Sequence, residues 1–579
     1  MSLAGLAENL SFYLFGDMIV RLEVSLVGGA LVLSFLLRGR SRLFHTIDTA
    51  AAICGAHKAR AMLGIFAAAL LLHGAVSFFL PVRQPFVHDE FSYLLSADTF
   101  LQGRAANPPH PLWEHFETIH VLSRPTYASM YPPLQGLILA GGKLLTGHYL
   151  AGPWVCSALL CSLIYWMLTC WVPARWAFLG ALFCILRMGL LSYWANSYWG
   201  AAHAAIGGVL LLGAVPGIVK RPGKVHAVAV GLGLLILANS RPFEGLAFAL
   251  GMAALGVLKF RQSPGASSHK TFRLLIPLCL AILIPGALAA ACYNHQVTGN
   301  WMRMPQQENM SCYGLAMLPW QSMHAERIPR IKHMQAFYEL QRERFRNFFT
   351  VTGFFKDRFK VLCQFWSFYI SPLLTLPLLL FLSNWRTKRC FPLLIAGLIF
   401  SSALIINPWF FPHYFSPAFG LLWLIAIMGL RIMHGFRVGN RGSRPFLLFV
   451  RLVPICMAAA VAASVWGPSL GLFKPPSDES RPTWHYTGPG NTQRARLVSQ
   501  LEALPGKHLV LIRYARKRDL LVDWVYNAAD IDSSDIVFAH DFGQAGNQRL
   551  LQYYSDRQVW AVNIDLSPET VQKMRNSIR

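Results

Sequence analysis

Long apolar runs separated by short polar connections recur along this chain from residue 18 to residue 466. A helix needs about 20 apolar residues to cross the hydrocarbon core of a bilayer. The pattern predicts spans at roughly 18–37, 61–81, 150–171, 175–193, 203–219, 225–240, 243–259, 273–292, 364–383, 390–407, 411–431 and 446–466. The expected fold class is a polytopic α-helical membrane protein with about 12 transmembrane helices over residues 1–466. After residue 466 the pattern changes. "GKHLVLIRYA", "SDIVFAHDFG" and "RQVWAVNID" read as short strands, with "GNQRLLQYYSD" as the helix between the last two. "NTQRARLVSQLEALPG" reads as a helix before the first strand, so residues 467–579 are expected to form a small α/β domain outside the membrane. No long-period repeat or low-complexity tract is evident.

Composition agrees with a membrane protein. Of 579 residues, 54% are hydrophobic and only 14% charged, with a mean hydropathy of +0.40. A soluble chain of this length would carry far more charge. The net charge of +25 alone would suggest nucleic acid, but the basic residues fall mostly in loops between apolar runs. That distribution fits topology and anionic lipid, and no nucleic-acid partner is expected. The 11 cysteines form no CxxC pair and lie mostly inside apolar runs, so they read as small buried hydrophobes. "MSLAGLAENLSFYLFGD" carries acidic residues and no basic n-region, unlike a cleavable signal peptide.

The connections alternate in charge. "RGRSRLFHTIDTAAAICGAHKAR", "VKRPGK", "KFRQSPGASSHKTFR", "NWRTKRC" and "RIMHGFRVGNRGSR" are basic and are expected in the cytoplasm. The opposite, external face then receives loop 82–149, "YWANSYWGAAH", "NSRPFEG", "NPWFFPHY", the long loop 293–363 and the C-terminal domain. Alternation requires that "YPPLQGLILAGGKLLTG", residues 131–147, lie at the outer interface without crossing. The predicted localisation is a cell (inner) membrane, with the working face toward the periplasm or exterior.

Candidate chemistry gathers on that face. "PVRQPFVHDEFSYLLSADTF" sets Asp89 and Glu90 side by side after an apolar run, and "ANSRPFEGLAFAL" sets Arg241 and Glu244 where one run ends and the next begins. Charges at membrane depth are expensive and usually face a cavity. Arg241 and Glu244 also fit a structural ion pair at i, i+3, and Asp89 and Glu90 fit a solvated pair or a helix cap. In "NPWFFPHYFSP", His413 and Tyr414 fit lipid-phosphate contacts and interfacial belt residues equally. "SYWANSYWG" reads first as an aromatic belt, with Asn196 and Trp199 as alternative sugar contacts. "YNHQVTGNWMRMPQQENM" fits an acceptor site or an ordinary loop. His88 reads as a solvated neighbour, and no His, Asp and Glu spacing commands a metal.

"HDEFSY", with Asp89, Glu90 and Tyr93, and "MYPPLQGLILAGGKLLTG", with its Pro-Pro-Leu start, are similar to motifs of the GT-C superfamily of membrane glycosyltransferases. The nearest branches are the protein O-mannosyltransferases and the aminoarabinose or RgtA-type lipid glycosyltransferases. The resemblance covers residues 60–435 in organisation and implies a GT-C-like bundle with an acidic base in the first external loop. One position departs from the pattern: Tyr131 stands where relatives often carry Lys or His before the proline pair. Lys143 or Arg241 then becomes the alternative phosphate contact.

The resemblance also implies a polyprenyl-phosphate sugar as donor and a lipid, glycan or protein as acceptor. A phosphate leaving group calls for positive charge, which an Arg supplies bidentately, and the acceptor hydroxyl calls for one base. One base and one displacement mean inversion at the anomeric carbon. The residues expected to act are Asp89 as base and Glu90 as orienter or acceptor contact. Tyr93, Lys143, Arg241, Glu244, His413 and Tyr414 are expected to bind substrate. No cofactor and no metal are expected. The alternative function is a transporter or flippase, or a polymerase or ligase, of lipid-linked glycans.

Overall fold

The computed structural model describes residues 16–37, 43–220, 222–263, 268–437, 446–473, 483–514, 520–564 and 571–573. Among them, nine helices are long and apolar enough to cross a membrane. The expected count was about 12, and the other three expected spans are also helical but shorter. Lys224–Ala238 and Phe391–Ile405 have 15 residues each, and Ala174–Cys184 runs through a five-residue π-turn to Gly189. The residues that follow these three helices include Trp199, Ser240 to Glu244, and Asn407, Trp409 to Phe411, His413 and Tyr414, which all line one cavity. The helices stop short where irregular backbone borders a hollow, a setting in which polar main chain is tolerated at membrane depth.

The span expected at 364–383 instead begins at Val351 and runs 33 residues to Ser383. Lys356, Asp357, Arg358 and Lys360 dilute the hydropathy of its outer half, which hid it from the sequence pattern. Two π-turns, Ile185–Gly189 and Trp366–Ile370, face a shared partner. A π-turn frees carbonyls from the i→i−4 ladder. Arg187 Nη2 donates to the Ser367 and Phe368 carbonyls at 2.9 and 3.1 Å, while Nη1 meets Glu23 at 2.7 Å. Its guanidinium lies 3.9 Å from the Trp484 ring, tying the linker after the last span to the bundle. Close helix contact elsewhere depends on missing side chains. A Cβ at Gly208 would sit 1.7 Å from the Pro417 carbonyl oxygen, so only glycine fits where the Ala202–Lys220 helix meets Pro417.

Residues 131–147 contain the helix Pro133–Thr146, 14 residues or about 21 Å long, too short to cross a bilayer about 30 Å thick. Its buried residues include Gln135, Gly136 and Leu139, while Leu144 and Leu145 are exposed. Two basic connections meet at the opposite end of the bundle, where Lys259 Nζ lies 3.4 Å from the Lys388 carbonyl.

The C-terminal region holds a four-stranded sheet in the order Ile536–His540, Lys507–Arg513, Arg557–Asn563, Val571–Lys573. The first three strands are parallel and the last, which the sequence pattern did not reveal, is antiparallel. Both faces of the sheet are covered, which explains the unbroken apolar run "LVLI". Val510, Ile512 and Phe538 pack with Leu497 and Leu501 of the Thr492–Glu502 helix. Leu509, Leu511 and Val537 pack with Phe91, Leu95 and Phe116 of the segment 82–149. The domain is thus seated on the segment that carries Asp89.

Candidate active site

One cavity of about 1450 Å³ collects residues from every stretch expected on the external face. Asp89, Tyr93, Arg241, Glu244, His413 and Tyr414 all line it, together with His120, Tyr131 and Trp199. Met304 and Gln307 arrive from the long loop, and Leu520 and Leu521 from the C-terminal domain.

Asp89 stands in the first turn of the His88–Leu101 helix, with its side chain 19% exposed. His120 Nδ1 lies 3.0 Å from its Oδ1, the Tyr131 hydroxyl donates to the same oxygen, and His88 Nε2 is 3.6 Å from Oδ2. Burial alone would raise this carboxyl, but His120 and His88 outweigh burial and hold it below the usual carboxylate range. Burial, together with the neighbouring His120, pushes His88 down to about 4, so its ring is neutral at pH 7. The Leu521 carbonyl, 3.1 Å from His88 Nδ1, can only accept a hydrogen bond. The ring proton therefore sits on Nδ1, and Nε2 turns a lone pair toward Asp89. Burial likewise raises the Tyr93 phenol, which stacks on Tyr131 at 4.4 Å and stays protonated.

Arg241, Glu244, His413 and Tyr414 form a second group in the lining. Arg241, the N-cap of the Pro242–Arg261 helix, lies 4.7 Å over the Tyr414 ring. Glu244, one turn on and 3% exposed, has a buried Oε1 with no hydrogen-bond partner. His413 is fixed by the Tyr193 hydroxyl at 3.1 Å and stacks on Tyr414 at 4.9 Å. Arg241, the Glu244 oxygen and these aromatic faces are a set suited to a phosphate and a sugar ring, and Arg344, Lys356 and Lys360 add further cations to the same cavity.

Several expectations need correcting. Glu90 does not line the cavity and is fully buried. Its carboxylate accepts the Phe86 and Val87 amides at 2.8 and 3.3 Å, the Tyr198 amide at 3.2 Å and Arg83 Nε at 3.4 Å. Residues one position apart on a helix point about 100° apart, so one of the two carboxylates caps the helix while the other faces the hollow. Lys143 is also outside the cavity lining, with its ammonium 5.2 Å over the Tyr149 ring at the far end of its helix. His88 is 2% exposed, not solvated. Asn196 is occupied by the Leu190 and Ser192 carbonyls, leaving Trp199 as the cavity-lining residue of that pair.

His120 and Leu521 had no signal in the sequence. Tyr131 was singled out only as a departure from the family pattern, yet it hydrogen-bonds Asp89. The donor atoms of His88, Asp89 and His120 lie within 4.8 Å of one another, a set that could take a divalent cation. No spacing in the sequence reveals this cluster, because the fold brings His120 to the other two.

Fold and site together define a multi-pass helical membrane protein with a large cavity into which several charged groups are gathered. No protein-family model matches the chain, and no curated protein sequence matches it. Among solved structures, it is similar to the Archaeoglobus fulgidus oligosaccharyltransferase tethered with an acceptor peptide containing the NVT sequon. That match has 12% identity and a TM-score of 0.46, covering 78% of this chain and 62% of the other. The same enzyme in complex with Zn and sulfate matches at 12% identity and TM-score 0.47, over 86% of this chain and 68% of that one. ArnT from Cupriavidus metallidurans in the apo state matches at 13% identity and TM-score 0.47, over 88% of this chain and 93% of that one. Both proteins are glycosyltransferases of the GT-C superfamily, the superfamily that the "HDEFSY" stretch resembles. The chain spans 62% of the length of the first of these structures. At such identities and TM-scores the likeness is one of broad helical organisation, and what the cavity does is read from its own residues.

Proposed function

We propose that this protein is an inverting glycosyltransferase that moves a sugar from a polyprenyl-phosphate donor to an acceptor hydroxyl at the outer face of the membrane. The observation that carries the reading is a single cavity lined both by a charged, hydrogen-bonded Asp89 and by Arg241. The donor lipid lies along the bundle, with its phosphate on Arg241 and its sugar against Tyr414, His413 and Trp199. Glu244 Oε1 accepts a sugar hydroxyl.

The acceptor oxygen attacks the anomeric carbon and forms the new glycosidic bond. The carbon–oxygen bond to phosphate breaks, its electron pair leaves with the phosphate, and Arg241 stabilises that charge. The acceptor proton passes to Asp89, which Tyr131 and His120 keep oriented. A carboxylate with so low a proton affinity is a weak base, so its main contribution is to orient the hydroxyl and to stabilise positive charge developing at the acceptor oxygen. Residues 467–579 form an external domain in this reading, and the bundle contains about 12 crossing segments when the three short helices are included.

Purified protein in lipid vesicles, given a panel of labelled polyprenyl-phosphate sugars, is expected to transfer label from one of them to an acceptor. Hydrogen-bond partners within the protein already surround Asp89, so turnover is expected to survive exhaustive chelation. Loss of turnover with recovery on adding a divalent ion would make His88, Asp89 and His120 its ligands. Movement of the labelled lipid across the bilayer without bond cleavage would replace the transferase reading with the flippase alternative.

A further inference from the structure

The two groups that meet at 3.0 Å, Asp89 and His120, come from different elements, and their meeting requires a brace. His120 has a backbone φ of 62°, a left-handed conformation that a non-glycine residue keeps only when its surroundings enforce it. The chain just before it is held by the C-terminal domain. The Thr118 hydroxyl donates to Asp523 Oδ2 at 2.9 Å, and the Tyr526 hydroxyl donates to the Ile119 carbonyl at 3.0 Å.

The same stretch of the C-terminal domain grips the helix of Asp89. Val522 forms an antiparallel bridge with Val87, the Leu521 carbonyl accepts from His88, and the Tyr526 ring stacks on Phe91 at 4.4 Å. Residues 520–526 contribute no regular strand, yet they are rigidly clamped. Asp523, fully buried, accepts the Trp524 and Val525 amides at 2.7 and 3.1 Å. Arg494 donates to the Trp524 and Tyr526 carbonyls at 3.2 and 2.9 Å, with its guanidinium between the Phe91 and Phe538 rings.

We propose that residues 520–526 of the C-terminal domain are a positioning element of the active site, cross-bracing the Asp89 helix and the His120 loop, with Asp523, Tyr526 and Arg494 as its positioning residues. The inference rests on the transferase reading for its effect on rate, but the brace itself is a statement about structure. A seemingly appended domain becomes part of the catalytic geometry: it sets the His88 tautomer and the Asp89–His120 distance while touching no substrate.

The test uses full-length protein with Tyr526→Phe, which keeps the stack on Phe91 and removes one hydroxyl, and Thr118→Val, which removes the other. Misplacing a reacting group by about 1 Å costs about a hundredfold in rate, so the double variant is expected to lose about 10- to 100-fold in kcat. Donor KM should stay within about twofold, and Thr118→Ser should retain the wild-type rate. Hydrogen exchange should accelerate together in residues 87–92 and 117–121 of Tyr526→Ala, which removes both the stack on Phe91 and the bond to Ile119, a readout that needs no turnover. A folded double variant with wild-type kcat, or exchange that accelerates in one of the two segments only, overturns the brace. If Asp89→Asn is itself fully active, the catalytic role of Asp89 fails, and exchange still decides the brace separately.

Discussion

The two groups in the cavity lining are built on opposite plans. Around Asp89 the polar partners come from the protein: His120, Tyr131 and His88 surround the carboxylate, and Leu521 fixes His88 in turn. Around Arg241 the set is open, with an aromatic face beneath the guanidinium and a buried Glu244 oxygen that no protein group satisfies. A buried polar atom left unsatisfied costs about 1–3 kcal/mol, so the Arg241–Glu244 side is arranged for a ligand to complete. The Asp89 side is pre-organised instead, as a site that handles a proton must be. Holding and reacting are therefore divided between the bundle and the external cap.

The change expected to break this division most severely is Asp89→Asn, which keeps the size of the side chain and removes its charge. General-base catalysis is worth about 10²–10⁴-fold, and a loss of that order in kcat with donor binding retained is expected from single-turnover assays. Glu90→Gln, at the adjacent but buried carboxylate, should instead lower the unfolding temperature and reduce the turnover of the remaining folded protein much less. The reverse ranking would move the base to Glu90. On the Arg241–Glu244 side, Arg241→Ala should weaken labelled-donor binding about 10- to 100-fold, since a hydrogen bond to a charged group is worth about 1.5–3 kcal/mol. Unchanged donor affinity in a folded Arg241→Ala protein would remove Arg241 from the phosphate site.

Acid sharpens the contrast, because the buried histidines of the cap belong to the Asp89 side. Burial pushes both His88 and His540 down to about 4, against about 6.5 in an unfolded chain. The unfolded state binds more protons than the folded one between these values, so stability falls as pH drops from 6.5 toward 4. The expected slope is about 1 kcal/mol per pH unit per histidine, measurable by thermal unfolding across that range. His540→Asn should flatten part of it. The smallest effect is expected at Lys143, which lies outside the cavity. Lys143→Ala should change stability by less than about 0.5 kcal/mol and leave turnover as it was, and a large loss would return it to the phosphate site.

Local pattern in the chain determined where most of the helices form and which stretches supply the first three strands of the C-terminal sheet. Hydropathy and period act over neighbouring residues, and "LVLI", "HDEFSY" and the Pro-Pro start each carry their meaning within a few positions. The same reasoning selected Asp89, Tyr93, Arg241, Glu244, His413 and Tyr414, which the structure brings into one cavity. It had no access to which of two adjacent carboxylates turns inward, because helix phase is decided by the Phe86, Val87 and Tyr198 amides that capture Glu90. Only tertiary structure brought His120 to Asp89 across 31 positions and Leu521 to His88 across 433, since such meetings follow from packing of whole elements and leave no local signature.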